Sequence, residues 1–514
     1  MSARPRAAIA QTYREPFRPQ FHFSPAQNWT NDPNGPVYYQ GEYHLFFQYN
    51  PFGDEWGHMS WGHAVSRDMV HWRQLPVAIP ESHGVMIFSG SVVVDAHNSS
   101  GFCAASAGGD RSCLVAIYTG YRPAAAASQG SAAQEQNQSQ YLAYSNDNGR
   151  TWTDYGGNPV IDLHLADFRD PKVFWYAPGR KWVMVTALSP QHKVRFFGSA
   201  DLRHWTTLSD FGPAGAVDGV WECPDLFPLA VDGDPHDIRW VLSVNVNPGG
   251  VAGGSGNQYF VGRFDGTRFT KDNADSAPLW ADYGADFYAS TSFSDIPAPD
   301  GRRIWIGWLD NWKYAARVPT HPWRGQQSIP RMLALKRFPE GVRLVQQPIR
   351  ELQALRERPI IIANRTVLAA NRLLEVAGAR GDTVEIEAEI APGSAGEFGL
   401  RARESRDGSE ATVIGIDFEK PVLFVDRTRS GNAGFDPAFP ARHTAPMHLA
   451  RGRPVEIHIL IDRSSVEAFG GDGESVISDL IFPSAASDGL ELYSKGGEAR
   501  VINLTFWRLR SIGE

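Results

Sequence analysis

Three acidic residues, far apart in the chain, share one punctuation. Asp32 lies in WTNDPNG (29–35), Asp170 in FRDPKVFWY (168–176) and Glu222 in VWECPDLFPL (220–229). Each is followed, directly or after one residue, by proline, and each precedes an apolar run that reads as a strand. Proline stiffens the backbone beside the acid. Carboxyl groups gathered in this way can cleave a glycosidic bond. That reaction needs a proton on the leaving oxygen and negative charge beside a developing oxocarbenium ion. One carboxyl must be neutral and another ionised at the same pH, and burial with crowding separates their pKa values. Glu222, between Trp221 and Cys223, has the more apolar neighbours and is expected to donate the proton. Asp32 has Thr30, Asn31 and Asn34 beside it, whose donors are expected to keep it ionised. Arg169 is expected to hold Asp170 ionised, for binding hydroxyls. Taken singly, each acid also fits a plain turn, because Asn, Asp, Pro and Gly all favour turns.

A scaffold that brings such acids together should be repetitive, and one pattern does recur. SRDMVHW ends at Trp72, SNDNGRTW at Trp152, SADLRHW at Trp205, RFDGTRF at Phe269 and, more weakly, RFPEGVRL at Leu344. Each is a polar turn that returns one large side chain to a preceding strand-like run. Irregular repeats of about 65 residues fit blades of four strands, and five of them make a five-bladed β-propeller over residues 20–345. A propeller binds ligands where its inner strands converge, which suits acids scattered along the sequence. Residues 1–19 form an N-terminal extension. QQPIRELQALRERP (346–359) has helical periodicity and is expected to be a short helix in a linker over 346–372. Beyond it DTVEIEAEI, PVEIHILIDRSSVEAFG and ARVINLTFWRL alternate polar and apolar residues, so 373–514 reads as a β-sandwich. The fold class is therefore all-β.

Composition narrows the function. The chain of 514 residues carries a net charge of −8 with no basic run, which argues against nucleic acid as partner. No apolar run reaches the roughly 20 residues that span a bilayer. Trp 16, Tyr 16 and Phe 28 supply faces on which sugar rings stack, although core packing uses most of them. Cys103 and Cys113 flank a short Gly/Ala/Ser loop; they are either a local disulfide or two free thiols, with Cys223 left over. The N-terminus has Arg but no apolar stretch, so it is not an intact signal peptide. Ala8-Ile9-Ala10 has the small-x-small form of a cleavage site. An extracellular or periplasmic mature form is the expectation, with the cytoplasm left open.

WTNDPNG, FRDP and WECP, in that order on a propeller followed by a sandwich, resemble the β-fructofuranosidases of glycoside hydrolase family 32: invertases, inulinases and levanases. The resemblance runs from about residue 20 to 512. It includes FFQYNP (46–51), WGHMSWGHAVSRDMVHW (56–72), FSGS (88–91), DFYAS (286–290), GWLDNW (307–312) and RSSVEAFG (463–470). It implies that Asp32 is the nucleophile attacking C2 of the fructosyl unit. Glu222 would then be the acid/base, and Asp170 would hold fructose hydroxyls. Asn31, Gln48, Trp56, Phe88, Ser89, Arg169 and Trp308 would line the fructose subsite. A retaining pathway is implied, with the Asp32 and Glu222 carboxyls about 5–5.5 Å apart. No metal and no cofactor are implied. Phe88 departs from the Trp often found before the Ser of FSGS; it keeps an aromatic face but loses an indole donor.

WECPDLF and the Gln-rich QGSAAQEQNQSQYLAYS (129–145) look more like exo-acting fructan hydrolases than dedicated invertases. The expected substrates are levan, inulin, fructo-oligosaccharides and sucrose, with terminal fructose released. A sucrose-specific invertase, a fructosyltransferase, an inverting five-bladed arabinan-type hydrolase and a carbohydrate-binding protein without turnover remain alternatives. Asp225 could bind a leaving-group hydroxyl or cap a turn. RSSVEAFG is expected to be a core strand, and the sandwich could also mediate oligomers.

Overall fold

The computed structural model describes residues 12–105, 111–124, 135–272, 277–450 and 452–513. The small-x-small run Ala8-Ile9-Ala10, the middle of the loop between Cys103 and Cys113 and the start of the Gln-rich stretch lie outside the described residues. The first unit is a five-bladed β-propeller. The inner strands of blades I to V are Asn28–Tyr39, Met86–Asp95, Phe168–Tyr176, Val220–Val231 and Tyr288–Ser292. They touch one another in the order I–II–III–IV–V–I, which closes the ring. Closure is reinforced by Trp323–Arg324, which pairs parallel with Asn28–Trp29.

The recurrent polar turn joins the third and fourth strands of each blade, for instance Ser60–Ser66 to Arg73–Ile79 and Lys193–Ser199 to Thr206–Phe211. Its aspartate caps the turn: Asp68 accepts from the backbone of Val70 and His71, and Asp201 from Arg203 and His204. This is the local Asx hydrogen bonding that makes aspartate a turn residue. The Trp that follows folds back, with Trp72, Trp152 and Trp205 donating their indole N–H to Met69, Gly149 and Leu202 carbonyls. The repeat therefore specifies a hairpin geometry. Burial between blades does the rest. Val37, Phe46, Trp61 and Leu114 fill the gap between blades I and II, and Val185, Phe196, Leu242 and Val244 the gap between III and IV.

The second unit is a β-sandwich of two antiparallel sheets. One runs in the order Ile360–Thr366, Arg500–Arg508, Val384–Ala391, Val455–Asp462, Ser465–Gly470 and Ser475–Leu480. The other runs Arg442–Pro446, Val422–Arg429, Ala411–Asp417, Glu397–Glu404 and Gly489–Lys495. RSSVEAFG does supply a buried strand, Ser465–Gly470. The expected linker over 346–372 needs correction. Arg350–Leu355 is a single 3-10 segment, but Ile360–Thr366 is already a strand of the sandwich, and the helix Val367–Val376 follows it. Ile360, Ile361 and Ile362 form an unbroken apolar run although Ile361 faces solvent and only Ile362 is buried, so the sequence lacks the alternation that marks a half-buried strand.

A buried ionic cluster ties the two units. His22, at the start of the propeller, places Nδ1 2.8 Å from Asp462 and Nε2 2.9 Å from Glu467. Arg331 of blade V donates to Glu467 at 3.0 Å and to Asp282 at 2.9 Å. Burial disfavours the charged imidazole of His22, but hydrogen bonds to both carboxylates outweigh it and raise its pKa to about 9. A raised folded-state value stabilises fully below the unfolded pKa and ceases to do so as pH climbs through the folded one. The contribution, on the order of 3 kcal/mol, is therefore present below about pH 6.5 and disappears towards pH 9. Thermal unfolding midpoints of the wild type should fall across that window, and His22→Gln should flatten the fall. A wild-type midpoint that stays level from pH 6.5 to 9 would contradict this assignment.

Candidate active site

Each inner strand breaks its ladder at the motif it carries. Register shifts lie between Thr30 and Pro33 in blade I and between Ile87 and Gly90 in blade II. They recur between Arg169 and Lys172, Glu222 and Asp225, and Tyr288 and Thr291 in blades III, IV and V. A bulge leaves one residue unpaired and re-aims its neighbours. Proline, which cannot donate to a ladder, is tolerated there; Pro33, Pro171 and Pro224 occupy three of these positions. Asp170 (φ 65°), Cys223 (φ 44°) and Ala289 (φ 52°) take left-handed backbone at the bulges. Such conformations cost on the order of 1 kcal/mol each in non-glycine residues, and they cluster where function holds them.

The bulges bring the three acids to one cavity of about 340 Å³. Asn31, Asp32, Gln48, Trp56, Phe88, Ser89, Arg169, Asp170 and Glu222 all line it. Asp32 accepts from Asn31 Nδ2 at 3.0 Å and from Ser89 Oγ at 2.6 Å. Asn31 is itself oriented by the Trp29 indole N–H, 2.8 Å from its side-chain oxygen. Asp170 accepts from the backbone N–H of Cys223 at 2.9 Å. The Cys223 thiol lies 3.5 Å from both Asp32 and Asp170. Glu222 accepts from Arg169 Nε at 3.0 Å and from the Tyr288 hydroxyl. The second end of Arg169 is held by Asp167 at 2.8 Å.

The electrostatics differ in part from the sequence expectation. Burial raises the Asp32 pKa, with Glu222 adding to the rise and the Ser89 and Asn31 hydrogen bonds opposing it. Burial also pushes Asp170 up to about 7, against the pull of Arg169, while Glu222 and Asp32 push further. Arg169 alone was expected to keep Asp170 ionised, but it is shared among three carboxylates and cannot offset full desolvation. Burial and the same three acids raise the Cys223 thiol well above its ordinary value, so it serves as a donor. The Glu222 side chain is 19% exposed, against 6% for Asp170, so Glu222 is the more open of the two.

Trp308 does not line the cavity. It is fully buried, with its ring 4.9 Å from that of Trp312, and Trp312 forms the wall instead. Asp225 is likewise buried away from it. It accepts from the Ser292 backbone at 2.6 Å and lies 3.7 Å from Lys172 Nζ. Phe88 stacks on Tyr121 at 4.6 Å and meets Trp56 edge-on at 6.1 Å, so the rim stays aromatic. Tyr121, Gln136, Gln138, Asp167, Trp312 and Tyr288 were not anticipated. Asp167 adjoins the FRDP motif, Tyr288 lies within DFYAS, Trp312 ends GWLDNW, and Gln136 and Gln138 lie in the Gln-rich stretch, but nothing local marks these side chains as facing a cavity. Cys103 and Cys113 are joined as a disulfide. Among the described residues, one group could hold a cation, Glu385, Glu387 and His458 in the sandwich. Arg356 already serves as its cationic partner, 2.7 Å from Glu385 and also bonded to Glu387.

The chain resembles known proteins over nearly its whole length. The chain is 51% identical over 512 residues to a levanase of Bacillus subtilis, covering 98% of this chain and 72% of that protein. It is 42% identical to an extracellular exo-inulinase of Aspergillus awamori, covering 98% and 96%. The crystal structure of exo-inulinase from Aspergillus awamori superposes with a TM-score of 0.88 at 39% identity, over 98% of this chain and 100% of that one. A fructofuranosidase of Schwanniomyces occidentalis complexed with fructosylnystose superposes at 0.85 with 30% identity, over 98% and 99%. Residues 22–348 match the glycosyl hydrolases family 32 N-terminal domain and residues 351–508 the family 32 C-terminal one. With the propeller and the sandwich each accounted for, the chain belongs to glycosyl hydrolases family 32.

Proposed function

We propose that this chain is a retaining hydrolase that releases terminal fructose from levan, inulin, fructo-oligosaccharides and sucrose. The observation that carries the reading is the meeting of Asp32, Asp170 and Glu222, from three blades, on one polar and aromatic cavity. Levanase and exo-inulinase relatives supply the substrate class. In the first step an Asp32 carboxylate oxygen bonds to C2 of the fructosyl unit. The C2–O bond to the leaving sugar breaks, and that oxygen takes the Glu222 proton. In the second step water attacks C2, passes a proton to Glu222 and frees Asp32. Direct attack of this kind requires the two carboxyls about 5–5.5 Å apart. Asp170, whose ionisation burial opposes and Arg169 favours, holds fructose hydroxyls. Asn31, Gln48, Trp56, Phe88, Ser89 and Arg169 bind the same ring, and Trp308 supports Trp312 from behind.

Retention is tested by the anomer first formed from sucrose, read by NMR before mutarotation. β-Fructofuranose should appear first; an α-product would mean inversion and would displace Asp32 from the nucleophile role. Run side by side on sucrose, inulin and levan, the same assay ranks the fructosides. Oligomers accumulating at high sucrose would point to transfer. An extracellular or periplasmic site of action fits the disulfide, since such bonds persist in oxidising compartments, and fits the exo-inulinase relative named as extracellular. No helix among the described residues is long and apolar enough to cross a membrane.

A further inference from the structure

The six-stranded sheet of the sandwich ends on Ser475–Leu480. An edge strand leaves backbone groups unpaired unless something covers it. Here the cover comes from the propeller, from the segment at 282–286 that leads into the inner strand of blade V. Tyr283 N–H donates to Val476 at 2.8 Å and Asp286 N–H to Ser478 at 3.0 Å. The Ala285 N–H donates to the Asp479 side chain at 3.0 Å. In return Ser478 N–H donates to Asp282 at 2.9 Å and Leu480 N–H to Asp286 at 2.7 Å. A Cβ on Gly284 would lie 2.1 Å from the Ser478 carbonyl oxygen, so only glycine allows this approach.

Charge locks the same segment from behind. Arg427 of the sandwich, fully buried, donates to Asp286 at 2.5 Å and lies 3.6 Å from Asp479. Tyr314 donates its hydroxyl to the other Asp286 oxygen at 2.5 Å. Beyond Asp286 the chain reaches Tyr288, whose hydroxyl bonds Glu222, and then the left-handed Ala289. Asn311 donates to the Ala285 carbonyl at 2.6 Å and precedes Trp312, the cavity wall. Both motifs of blade V that face the cavity thus have their backs against the sandwich.

We propose that the sandwich is a positioning element of the active site: Ser478, Asp479 and Arg427 hold the 282–286 segment and thereby set the Tyr288 hydroxyl on Glu222. The inference rests on Glu222 being the acid/base. Among the described residues, Glu222 accepts from two fixed donors, Arg169 and Tyr288. A donor on a rigid backbone orients a carboxyl only as well as that backbone is held. Displacements of about 1 Å can cost on the order of 100-fold in rate.

The test uses the whole chain and two substrates, sucrose and an aryl β-fructofuranoside whose phenolate departs with little help from an acid. Asp479→Asn should lower kcat/KM on sucrose about ten-fold or more, and on the aryl fructoside less than about three-fold. Combined with Tyr288→Phe it should add little to the loss from Tyr288→Phe alone, because both act through one contact. Equal losses on both substrates, or full additivity, would overturn the proposal. Should Asp479→Asn not fold, Ser478→Ala, which removes only hydroxyl bonds to Asp282 and Arg331, and Arg427→Lys take its place. Wild-type rates in both would equally overturn it. Glu222→Gln run in parallel separates the two layers. If it keeps wild-type activity on sucrose, the acid/base role fails and takes the inference with it. If it loses that activity while the sandwich variants do not, the positioning role alone fails.

Discussion

Asp32→Asn should reduce fructose release about 10⁴- to 10⁶-fold, the range seen when a covalent nucleophile is removed. That corresponds to about 5–8 kcal/mol of transition-state stabilisation. An amide oxygen is too poor a nucleophile to bond C2, yet the change is nearly isosteric. The amide still accepts from Asn31, and the Ser89 hydroxyl can turn to accept from the new NH₂. Burial already disfavours the Asp32 charge in the folded protein, so the variant should melt at the wild-type temperature or above it. This is the usual trade between a strained site and stability. The pair of measurements is initial rate on sucrose and thermal midpoint. A folded variant keeping more than about 1% of wild-type kcat/KM would assign the nucleophile elsewhere.

Glu222→Gln should cost about 10²- to 10⁴-fold on sucrose, the worth of a positioned proton donor and acceptor. Its signature is selective. With an aryl β-fructofuranoside the first step needs little protonation, so the fructosyl-enzyme should form and then stall for want of a base. Azide, which needs no base, should release it as β-fructosyl azide and restore turnover, detectable by mass spectrometry and NMR. Glutamine keeps the acceptor for Arg169 or Tyr288 on one side only; on sucrose, where the first step stays limiting, KM should move less than kcat, whereas on the aryl substrate the stalled intermediate lowers KM together with kcat. If azide gives no rescue and no fructosyl adduct, Glu222 is not the group that serves both steps.

Much of this site was legible beforehand because its acids sit in bulges, and a bulge that tolerates proline leaves a local trace. Pro33, Pro171 and Pro224 mark three of the five ladder breaks. Blade II marks its own with Gly90, where a Cβ would meet the Ile117 carbonyl at 2.1 Å. Other features left no such trace. Trp308 and Trp312 stand four apart in one motif, and which of them faces the cavity depends on how blade V packs against Trp29. Asp225 follows Glu222 closely, but the bulge at Cys223-Pro224 changes the alternation and leaves Asp225 with Lys172. Tyr288 looked like any strand aromatic until its hydroxyl met Glu222.

What the sequence determined by itself is the repeated hairpin chemistry, the alternation of the sandwich strands and the proline-marked turns that carry Asp32, Asp170 and Glu222. All of these rest on interactions within a few residues. Only the tertiary structure decided how strongly desolvation opposes ionisation, as at Asp170, which is buried by neighbours distant in the chain. It alone also decided that the sandwich edge braces blade V, because the pairing of 282–286 with Ser475–Leu480 spans nearly 200 residues of chain. Desolvation and long-range pairing are properties of the assembled volume, and no local window of residues encodes them.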